Sequence, residues 1–340
     1  MATTAHIQQP SPLRIFSTLN AHQQTAALKA AVELELFTAI GEGASTAKAL
    51  AKRCSTSERG MRILCDYLVI HEFLTKEGTD YHLTLDSATF LDRRSPGYQG
   101  SVAKFLTSPS VLETFRDLTA VVRKGGTVIS DDGSVSADNA LWVEFARSMA
   151  PMTAAPAESI AKLVGAQAGG KWKVLDVAAG HGLFGIAVAK QNPQAQIVAL
   201  DWANVLKVAA ENAQKAGVTD RFRTITGSAF EADLGTGYDL ILLTNFLHHF
   251  DIPTCEGLLR KVHKALKPDG RVATLEFVPN EDRVSPPVPA AFSMIMLAMT
   301  AHGDAYTSAE LEGMFRNAGF PRSELHPLPA SPQHLMISYK

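Results

Sequence analysis

Hydrophobic and polar positions follow two different patterns along this chain. From Lys171 onward, short apolar runs alternate with segments of helical periodicity; the runs are "KVLDVA", "QIVALD", "FRTITGS", "YDLILLTNF", "RVATLEFV" and "QHLMISY". Strands separated by amphipathic helices are typical of a mostly parallel sheet with helices on both faces. The sequence therefore predicts a Rossmann-like, doubly wound α/β domain over residues 161–340, with ligands at the carboxyl ends of its strands.

The first third of the chain predicts helices and one β-hairpin. "TAALKAAVELELFTAI" carries apolar residues at helical spacing and ends at Gly41, and Ser45 and Ser57 can cap two further helices. "FLTKEGTDYHLT" alternates about a Glu-Gly pair, as a hairpin does. This order predicts a mainly helical, winged-helix-like domain over residues 1–105.

Residues 106–160 predict a helical linker interrupted by the polar loop "RKGGTVISDDGSVSADN". The segment "ALWVEFARSMAPM" places Trp142, Phe145 and Met149 on one helical face, with Met152 close by. We expect this linker to line the site of the C-terminal domain. Packing within the core is the simpler alternative for these side chains.

Composition and charge narrow the class of protein. The 340 residues carry a formal net charge of -2, which argues against a nucleic-acid-binding surface. The cysteines, Cys54, Cys65 and Cys255, are not at metal-ligand spacing and predict free thiols in a reducing cytoplasm. We expect no signal peptide in "MATTAHIQQPSPLRIF", and the run "AAFSMIMLAM" is too short to span a membrane.

The stretch "KVLDVAAGHGLFGIAVAK" contains a glycine pattern that suits two kinds of cofactor. Gly180, Gly182 and Gly185 allow a tight turn and a close approach of the backbone to a ligand. Asp201, at the end of the next predicted strand, is placed to accept hydrogen bonds from ribose hydroxyls. A nicotinamide dinucleotide would fit both features.

Asp176 distinguishes the two cofactors. It precedes the glycines at the end of the first strand, where a fixed carboxylate would repel a pyrophosphate group. S-Adenosylmethionine has no phosphate and carries a sulfonium and an ammonium group, which a carboxylate favours directly or through water. The sequence therefore favours S-adenosylmethionine over NAD.

Five segments, in order, carry a family resemblance. "VLDVAAGHG" resembles motif I of the class I S-adenosylmethionine-dependent methyltransferases, and "VALDWANVL" resembles motif II. "ITGSAFEADL" is similar to the segment that frames the adenine, "YDLILLTNFLHHFD" to motif IV, and "ALKPDGRVATLEF" to the turn and strand after it. The whole chain resembles the two-domain small-molecule O-methyltransferases of plants and of bacterial secondary metabolism.

The resemblance implies a cofactor site and a homodimer. S-Adenosylhomocysteine would be the product, and the implied cofactor residues are Asp176, Gly180, Gly182, Asp201, Trp202, Ser228, Ala229, Phe230, Thr244 and Asn245. Ser228 stands where the family usually has an acidic residue, and His181 has no counterpart that explains it. The family uses its N-terminal domain to form dimers. A winged-helix DNA-binding regulator is the alternative, but "SERGMRILCDYLVIHEF" becomes apolar and acidic after two arginines.

The resemblance also implies a catalytic base. His248 in "LHHF" matches the family's general base, with His249 as the alternative, since a neutral imidazole accepts a proton near pH 7. Glu276 matches the first acidic partner of that base, and Asp304 lies beside the second, whose aligned position is Ala305. A missing partner would leave methylation of carbon or nitrogen as an alternative. We expect no metal, because no carboxylate cluster accompanies the two histidines.

The acceptor is expected to be a small aromatic or polyketide-like molecule. The segment after the fifth strand resembles the family's acceptor-lining helix and contributes Phe292, Met294, Met296 and Met299. Flexible thioethers suit a flat apolar substrate. At least half of these residues are expected to pack only in the core.

Overall fold

The computed structural model describes residues 10–131, 133, 140–329 and 331–340. The chain divides into two compact units, Met1–Thr107 and Ser108–Lys340. Within the polar loop predicted between residues 123 and 139, residues 132 and 134–139 lie outside the described residues. Within the described part of the chain, every helix is too short or too polar to cross a lipid bilayer.

The N-terminal unit contains seven described helices and one hairpin. They are α1 (Leu13–Leu19), α2 (Ala21–Glu33), α3 (Leu36–Gly41), α4 (Ala47–Arg53), α5 (Glu58–Ile70), β1 (Leu74–Glu77), β2 (Asp80–Leu83), α6 (Leu85–Phe90) and α7 (Val102–Leu106). Strands β1 and β2 pair antiparallel, with Glu77 opposite Asp80, which confirms the predicted hairpin. The order of α3, α4, α5 and the hairpin is that of a winged helix.

Two local predictions for this unit are wrong. The apolar segment ending at Gly41 is not one helix, because Glu35 adopts a left-handed conformation with φ of 56° and separates α2 from α3. Thr46, not Ser45, caps α4 by accepting the backbone N–H of Ala49. Ser45 instead donates its hydroxyl hydrogen to Asp80 at 2.5 Å.

The N-terminal unit leaves one helix with an unburied apolar face. The four large apolar residues of α1 are each more than half exposed in the single chain: Leu13, Ile15, Phe16 and Leu19. Such a face is unfavourable in water and is typical of a surface that another protein chain covers.

The C-terminal unit begins with three helices and continues as alternating strands and helices. The helices are α8 (Pro109–Arg116), α9 (Leu118–Lys124), α10 (Ala140–Leu163), α11 (Leu183–Gln191), α12 (Ala203–Lys215), α13 (Ile252–Ala265), α14 (Pro287–Met299) and α15 (Ser308–Asn317). The strands are β3 (Lys173–Val177), β4 (Gln196–Asp201), β5 (Phe222–Thr226), β6 (Tyr238–Thr244), β7 (Leu266–Glu276), β8 (Arg322–Pro327) and β9 (His334–Tyr339).

These seven strands form one sheet in the order β5-β4-β3-β6-β7-β9-β8. Strands β3 to β7 run parallel, and β9 is antiparallel to both of its neighbours. Apolar side chains cover both faces of the sheet, packing against α10, α11 and α12 on one face and against α13 and α15 on the other. The predicted doubly wound fold is confirmed, whereas β8, an edge strand, was not predicted.

Candidate active site

The candidate site lies where the carboxyl ends of β3, β4, β6 and β7 meet. Strand β3 is central, with β4 on one side and β6 on the other, so successive crossovers diverge at this point. Open α/β sheets bind ligands in the crevice that such a divergence creates. The glycine loop, Asp201, the histidine pair and Glu276 all follow or end these strands.

The glycine loop turns tightly between β3 and α11. Gly180 and Gly182 have φ of 57° and 73°, a region that residues with a Cβ rarely adopt. A Cβ on Gly182 would lie 3.0 Å from the Cβ of Ala209, so this glycine packs the loop onto α12. A Cβ on Gly180 would meet no side chain within 4 Å, so the backbone there borders open space. The loop can therefore present its backbone to a ligand at Gly180.

Asp176 does not border this open space. Its side chain is fully buried, with Oδ2 accepting the N–H of Gly185 at 3.0 Å and Oδ1 without a partner. Burial, with a smaller contribution from the nearby Asp201 carboxylate, raises the pKa of Asp176 to about 7. Of the two forms of the sequence prediction, this geometry favours action through water over direct contact with a ligand, because the Asp176 carboxylate lies behind the loop.

Asp201 joins the end of β4 to the glycine loop. Its Oδ2 accepts the N–H of Gly180 at 2.8 Å, and its Oδ1 accepts the N–H of Trp202 at 2.7 Å. Burial raises the pKa of Asp201, and the two hydrogen bonds lower it. Burial has the larger effect, so the pKa is about 6. Each oxygen keeps a second lone pair for a ligand hydroxyl.

The segment that follows β5 is held from behind by a lysine that the sequence reasoning missed. Lys261 Nζ in α13 donates to the carbonyl oxygens of Ala229, Phe230 and Ala232 at 3.0, 2.8 and 2.6 Å. The hydroxyl of Ser228 accepts the N–H of Phe230 at 3.2 Å. A cation with three carbonyl acceptors fixes the path of this segment, so that Phe230 is held half-buried beside it.

The end of β6 is fixed by two long-range contacts. Thr244 is buried, and Asn245 adopts a left-handed conformation with φ of 55°. The N–H of Asn245 donates to Leu275 O at 2.8 Å, and its side-chain oxygen accepts the amide of Gln333. The chain therefore turns sharply at Asn245 into the histidine segment.

His248 and Glu276 form a buried pair. One carboxylate oxygen, Oε1, accepts the N–H groups of Phe246 and Leu247 at 3.1 and 2.9 Å. The other, Oε2, is hydrogen-bonded to Nδ1 of His248, and both side chains are almost fully buried. Glu276 therefore holds the short 3-10 turn Leu247–His249 and the imidazole at the same time.

His249 has a different environment. Its ring stands edge-on to Trp142 at 5.3 Å between centroids, and its Nδ1 is buried without a partner. Burial and the neighbouring His248 hold the pKa of His249 well below its usual value. With no carboxylate to fix its tautomer, His249 lacks the support that His248 has.

Asp304 does not support His248. Its carboxylate pairs with Arg283 at 3.1 Å and accepts the N–H of Ala305 at 2.8 Å. The sequence prediction of Asp304 as a second acidic partner is therefore wrong in this geometry. The part of this segment that packs against the histidines is Gly303, which is hydrogen-bonded to Thr300.

Gly303 lies directly against the histidine backbone. A Cβ on Gly303 would lie 2.2 Å from the carbonyl oxygen of His248 and 2.9 Å from the carbonyl carbon of His249. Its N–H donates to the hydroxyl of Thr300 at 2.8 Å, and that hydroxyl donates to Met296 O at 2.7 Å. The turn after α14 therefore packs closely against the backbone of the histidine segment, and only a glycine at position 303 permits this close approach.

The predicted acceptor residues divide between surface and core. Phe292 stands edge-on to His248 at 4.9 Å and stacks on Phe277 at 4.1 Å, which places it beside the pair. Trp142 contacts Phe145 and His249 through its ring. Met149 is half-buried, Met152 and Met294 are exposed, and Met296 and Met299 are buried in the core. Across the described ranges, no three His, Cys, Asp or Glu side chains come together as metal ligands.

Family comparisons agree with this arrangement. Residues 135–321 match the O-methyltransferase domain, and residues 16–93 match the O-methyltransferase dimerisation domain. The chain belongs to the O-methyltransferase family. The family depends on S-adenosylmethionine, so the cofactor of this enzyme is S-adenosylmethionine and the dinucleotide alternative is dropped.

Individual relatives of this O-methyltransferase span almost its full length. A solved structure from Nostoc punctiforme PCC 73102, assigned as an O-methyltransferase, is 55% identical, with a TM-score of 0.94, and covers 98% of this chain and 100% of its own. The tetracenomycin polyketide synthesis 8-O-methyl transferase of Streptomyces glaucescens is 27% identical over 93% of this chain and 94% of its own. Human N-acetylserotonin methyltransferase, solved in complex with its methyl donor, shares the fold with a TM-score of 0.84 at 21% identity, covering 99% of both chains.

Several groups at this edge of the sheet could hold this cofactor. The backbone at Gly180 borders open space, and the Asp201 carboxylate can accept from ribose hydroxyls. Half-buried Trp202 and Phe230 offer apolar surface to an adenine. Asp176 Oδ1 lies behind the loop without a partner, and above its raised pKa of about 7 the carboxylate would carry a negative charge that suits a cationic ligand better than a pyrophosphate.

Asp201 gives a testable pH dependence. Because the carboxylate accepts hydroxyl hydrogens better than the acid does, we expect S-adenosylhomocysteine affinity to fall as the pH drops through about 6, the raised pKa of Asp201. Asp201→Asn should bind roughly tenfold more weakly at pH 7.5, since one amide hydrogen must face a backbone N–H. Its affinity should also lose the step near pH 6. Calorimetry between pH 5 and pH 8 measures both effects, and an unchanged step in the variant would assign it to another group.

Proposed function

We propose that this enzyme methylates a hydroxyl group of a small aromatic or polyketide-like acceptor, with His248 as the general base and without a metal. The observation that carries the proposal is the buried hydrogen bond between Nδ1 of His248 and Glu276. Both oxygens of that carboxylate are engaged at the carboxyl edge of the sheet, where ligands of this fold bind.

The pair sets the chemistry of the imidazole. Glu276 is an acceptor, so Nδ1 of His248 carries the proton and Nε2 keeps a free lone pair. A hydroxyl of the acceptor can give its proton to Nε2, and Glu276 then stabilises the imidazolium that forms. S-Adenosylmethionine, when bound beside this pair, would supply an electrophilic methyl group. The deprotonated oxygen would bond to the methyl carbon as the carbon–sulfur bond breaks, and neutral S-adenosylhomocysteine would leave with the bonding electron pair.

The aromatic side chains near the pair support an aromatic acceptor. Phe292 contacts the imidazole of His248, and Trp142 contacts that of His249. With Phe145, Met149, Met152 and Met294 they form the acceptor wall that we propose. Met296 and Met299 are buried, so we assign them to the core beneath this wall.

The remaining site residues take the cofactor. We propose that Gly180 and Asp201 hold its ribose and amino-acid portions and that Trp202, Ala229 and Phe230 border its adenine. Gly182, Ser228, Thr244 and Asn245 shape the surrounding backbone. Asp176 supports the loop from behind and contributes charge.

The N-terminal dimerisation domain supports assembly into a homodimer. We propose a cytoplasmic homodimer that uses the exposed apolar face of α1 and has no nucleic-acid or membrane partner. The proposal includes three segments: a dimerisation domain over residues 1–105, a helical linker over 106–160 and a cofactor-binding domain over 161–340. Light scattering with Phe16→Glu tests it, and a wild-type monomer at micromolar concentration would contradict it.

The reaction itself is tested with a labelled methyl donor. S-Adenosylmethionine carrying a CD3 group is incubated with a panel of phenols, naphthols and anthraquinones, in EDTA and without it. We expect EDTA-resistant products with one CD3 group on oxygen. A CD3 group found only on carbon or nitrogen, or activity that EDTA abolishes, would contradict the proposal.

Gly303 supplies a prediction for this reaction. Gly303→Ala is expected to lower kcat roughly 10- to 100-fold, because the added methyl group must displace the His248 backbone and catalysis is sensitive to shifts of about 1 Å. Gly313→Ala, in α15, is the matched control, since its Cβ would meet nothing within 4 Å. It should leave kcat unchanged, and equal effects of the two changes would remove Gly303 from the site.

A further inference from the structure

His181, in the middle of the glycine loop, is buried and has a defined tautomer. Its Nδ1 accepts the N–H of Leu183 at 3.2 Å, and its Nε2 lies 3.0 Å from Thr153 Oγ1. Burial lowers the pKa of His181 to about 4, so the ring is neutral at working pH. Because Nδ1 is the acceptor, Nε2 carries the hydrogen and donates it to Thr153.

Thr153 links His181 to the proposed acceptor wall. It lies in α10, is buried, and donates its hydroxyl hydrogen to Met149 O at 3.2 Å. The hydrogen bonds therefore run from the glycine loop through His181 and Thr153 to Met149. One end belongs to the cofactor site and the other to the proposed acceptor wall.

Helix α10 is weak in the region that receives this contact. Pro151 and Pro156 lie inside the helix on either side of Thr153. A proline has no N–H and clashes with the carbonyl group four residues earlier, so each removes one backbone hydrogen bond from the helix. A helix with missing bonds opens at lower free energy than its neighbours do. The Thr153 hydroxyl therefore ties together a stretch that its backbone holds incompletely.

The other side of the loop is fixed independently. The carbonyl oxygen of His181 accepts the side-chain amide of Asn212 in α12 at 2.9 Å, and Gly182 packs against Ala209 of the same helix. The His181 backbone is thus held by α12, while its side chain reaches α10. A change in the mobility of the loop can therefore reach α10 through this side-chain hydrogen bond, in addition to the apolar packing of α11 and α12 against α10.

We propose that the hydrogen bond between His181 and Thr153 couples the cofactor loop to the acceptor wall, so that cofactor binding orders α10 around Met149. His181 and Thr153 are positioning residues and touch no reacting atom. Ordering one site by filling the other gives positive coupling between the two ligands. The inference rests on the proposed function, since it takes the glycine loop as the cofactor site and Met149 as part of the acceptor wall.

Hydrogen exchange with S-adenosylhomocysteine tests the coupling without an acceptor. The full-length protein is compared with and without the ligand in two regions, residues 176–185 of the loop and residues 149–157 of α10. In the wild type, exchange should slow in both regions, in α10 by at least about threefold. Absence of slowing in α10 while the loop is protected would overturn the inference and leave the proposed function intact. Absence of slowing in the loop would contradict the cofactor site, and the inference with it.

Two variants cut the link from opposite ends. Thr153→Val removes the hydroxyl group at nearly constant volume. His181→Asn keeps an oxygen where Nδ1 accepts the N–H of Leu183 but is too short to reach Thr153. Both should keep protection of the loop and lose protection of α10, whereas Thr153→Ser, which keeps the hydroxyl, should behave as the wild type. Undiminished protection of α10 in either folded variant would overturn the inference.

Discussion

His248→Ala is expected to lower kcat by about 100-fold to 10,000-fold, the contribution typical of a positioned general base. The change removes the imidazole that Glu276 holds, while the glycine loop and Asp201 are left in place. S-Adenosylhomocysteine affinity should therefore stay within about twofold of the wild type, since no cofactor group is removed. Steady-state kinetics and calorimetry on the same preparation give the two values.

The matched control for this change is His302→Ala. His302 is exposed and lies in the same segment as Gly303, so its removal tests whether losing any histidine nearby lowers activity. We expect no change in kcat. His249→Ala completes the comparison: if it alone abolished turnover while His248→Ala left it near the wild-type level, the base would be His249.

Glu276→Gln is expected to lower kcat by about 1,000-fold or more, because it reverses the tautomer of His248. The amide oxygen can still accept from Phe246 and Leu247, while the amide nitrogen must donate to Nδ1. Nε2 then carries the hydrogen and cannot accept one. The equivalent carboxylate-to-amide change in a serine-protease triad costs about 10,000-fold for the same reason.

This variant separates catalysis from stability. Glu276→Gln keeps both backbone hydrogen bonds, so its Tm should lie within a few degrees of that of the wild type. Glu276→Ala leaves the buried N–H of Leu247 and the partly buried N–H of Phe246 without their partner. An unsatisfied buried group costs about 1–3 kcal/mol, so this variant should unfold at a clearly lower temperature. A folded Glu276→Gln enzyme that retains a tenth of wild-type kcat would mean that Glu276 serves structure alone.

The sequence predicts the sheet well because its signal is local. Apolar runs such as those of β3 and β6 are buried on both faces, so they are visible without knowledge of their neighbours. Strand β8 was missed because it is an edge strand with only partly buried side chains. The break at Glu35 was missed because helical periodicity continues across it, whereas a single left-handed residue redirects the chain.

The identities of the site residues stay predictions, and the structure shows which of these residues contact one another. Motif resemblance pointed to His248 and Glu276, which are 28 residues apart in the sequence. In the structure their side chains are hydrogen-bonded to each other. Asp176 was placed at the right strand end, but the sequence does not show that Gly185 draws its carboxylate inward. Asp304 was predicted as a partner of His248 because it lies next to the aligned position in the sequence. In the structure its carboxylate pairs with Arg283, which lies in a separate loop.

Long-range packing explains the residues that sequence reasoning missed. Gly303 matters because the backbone of another segment lies against it, a contact that a one-dimensional pattern does not contain. Lys261 sits on an amphipathic helix, where a lysine normally predicts only a solvated face, yet it binds three carbonyl groups. His181 became interpretable once the structure placed Thr153 next to it.

The dependence of the His248→Ala defect on acceptor acidity tests the role of His248 as a base most directly. A series of substituted phenols or naphthols that the wild type methylates, with hydroxyl pKa values spanning about 7 to 10, is assayed at one pH with both enzymes. If His248 removes the acceptor's proton, the ratio of wild-type to variant kcat should fall towards one for acceptors that are already ionised, and rise steadily with acceptor pKa. A ratio that stays constant across the series would show that His248 only positions the acceptor.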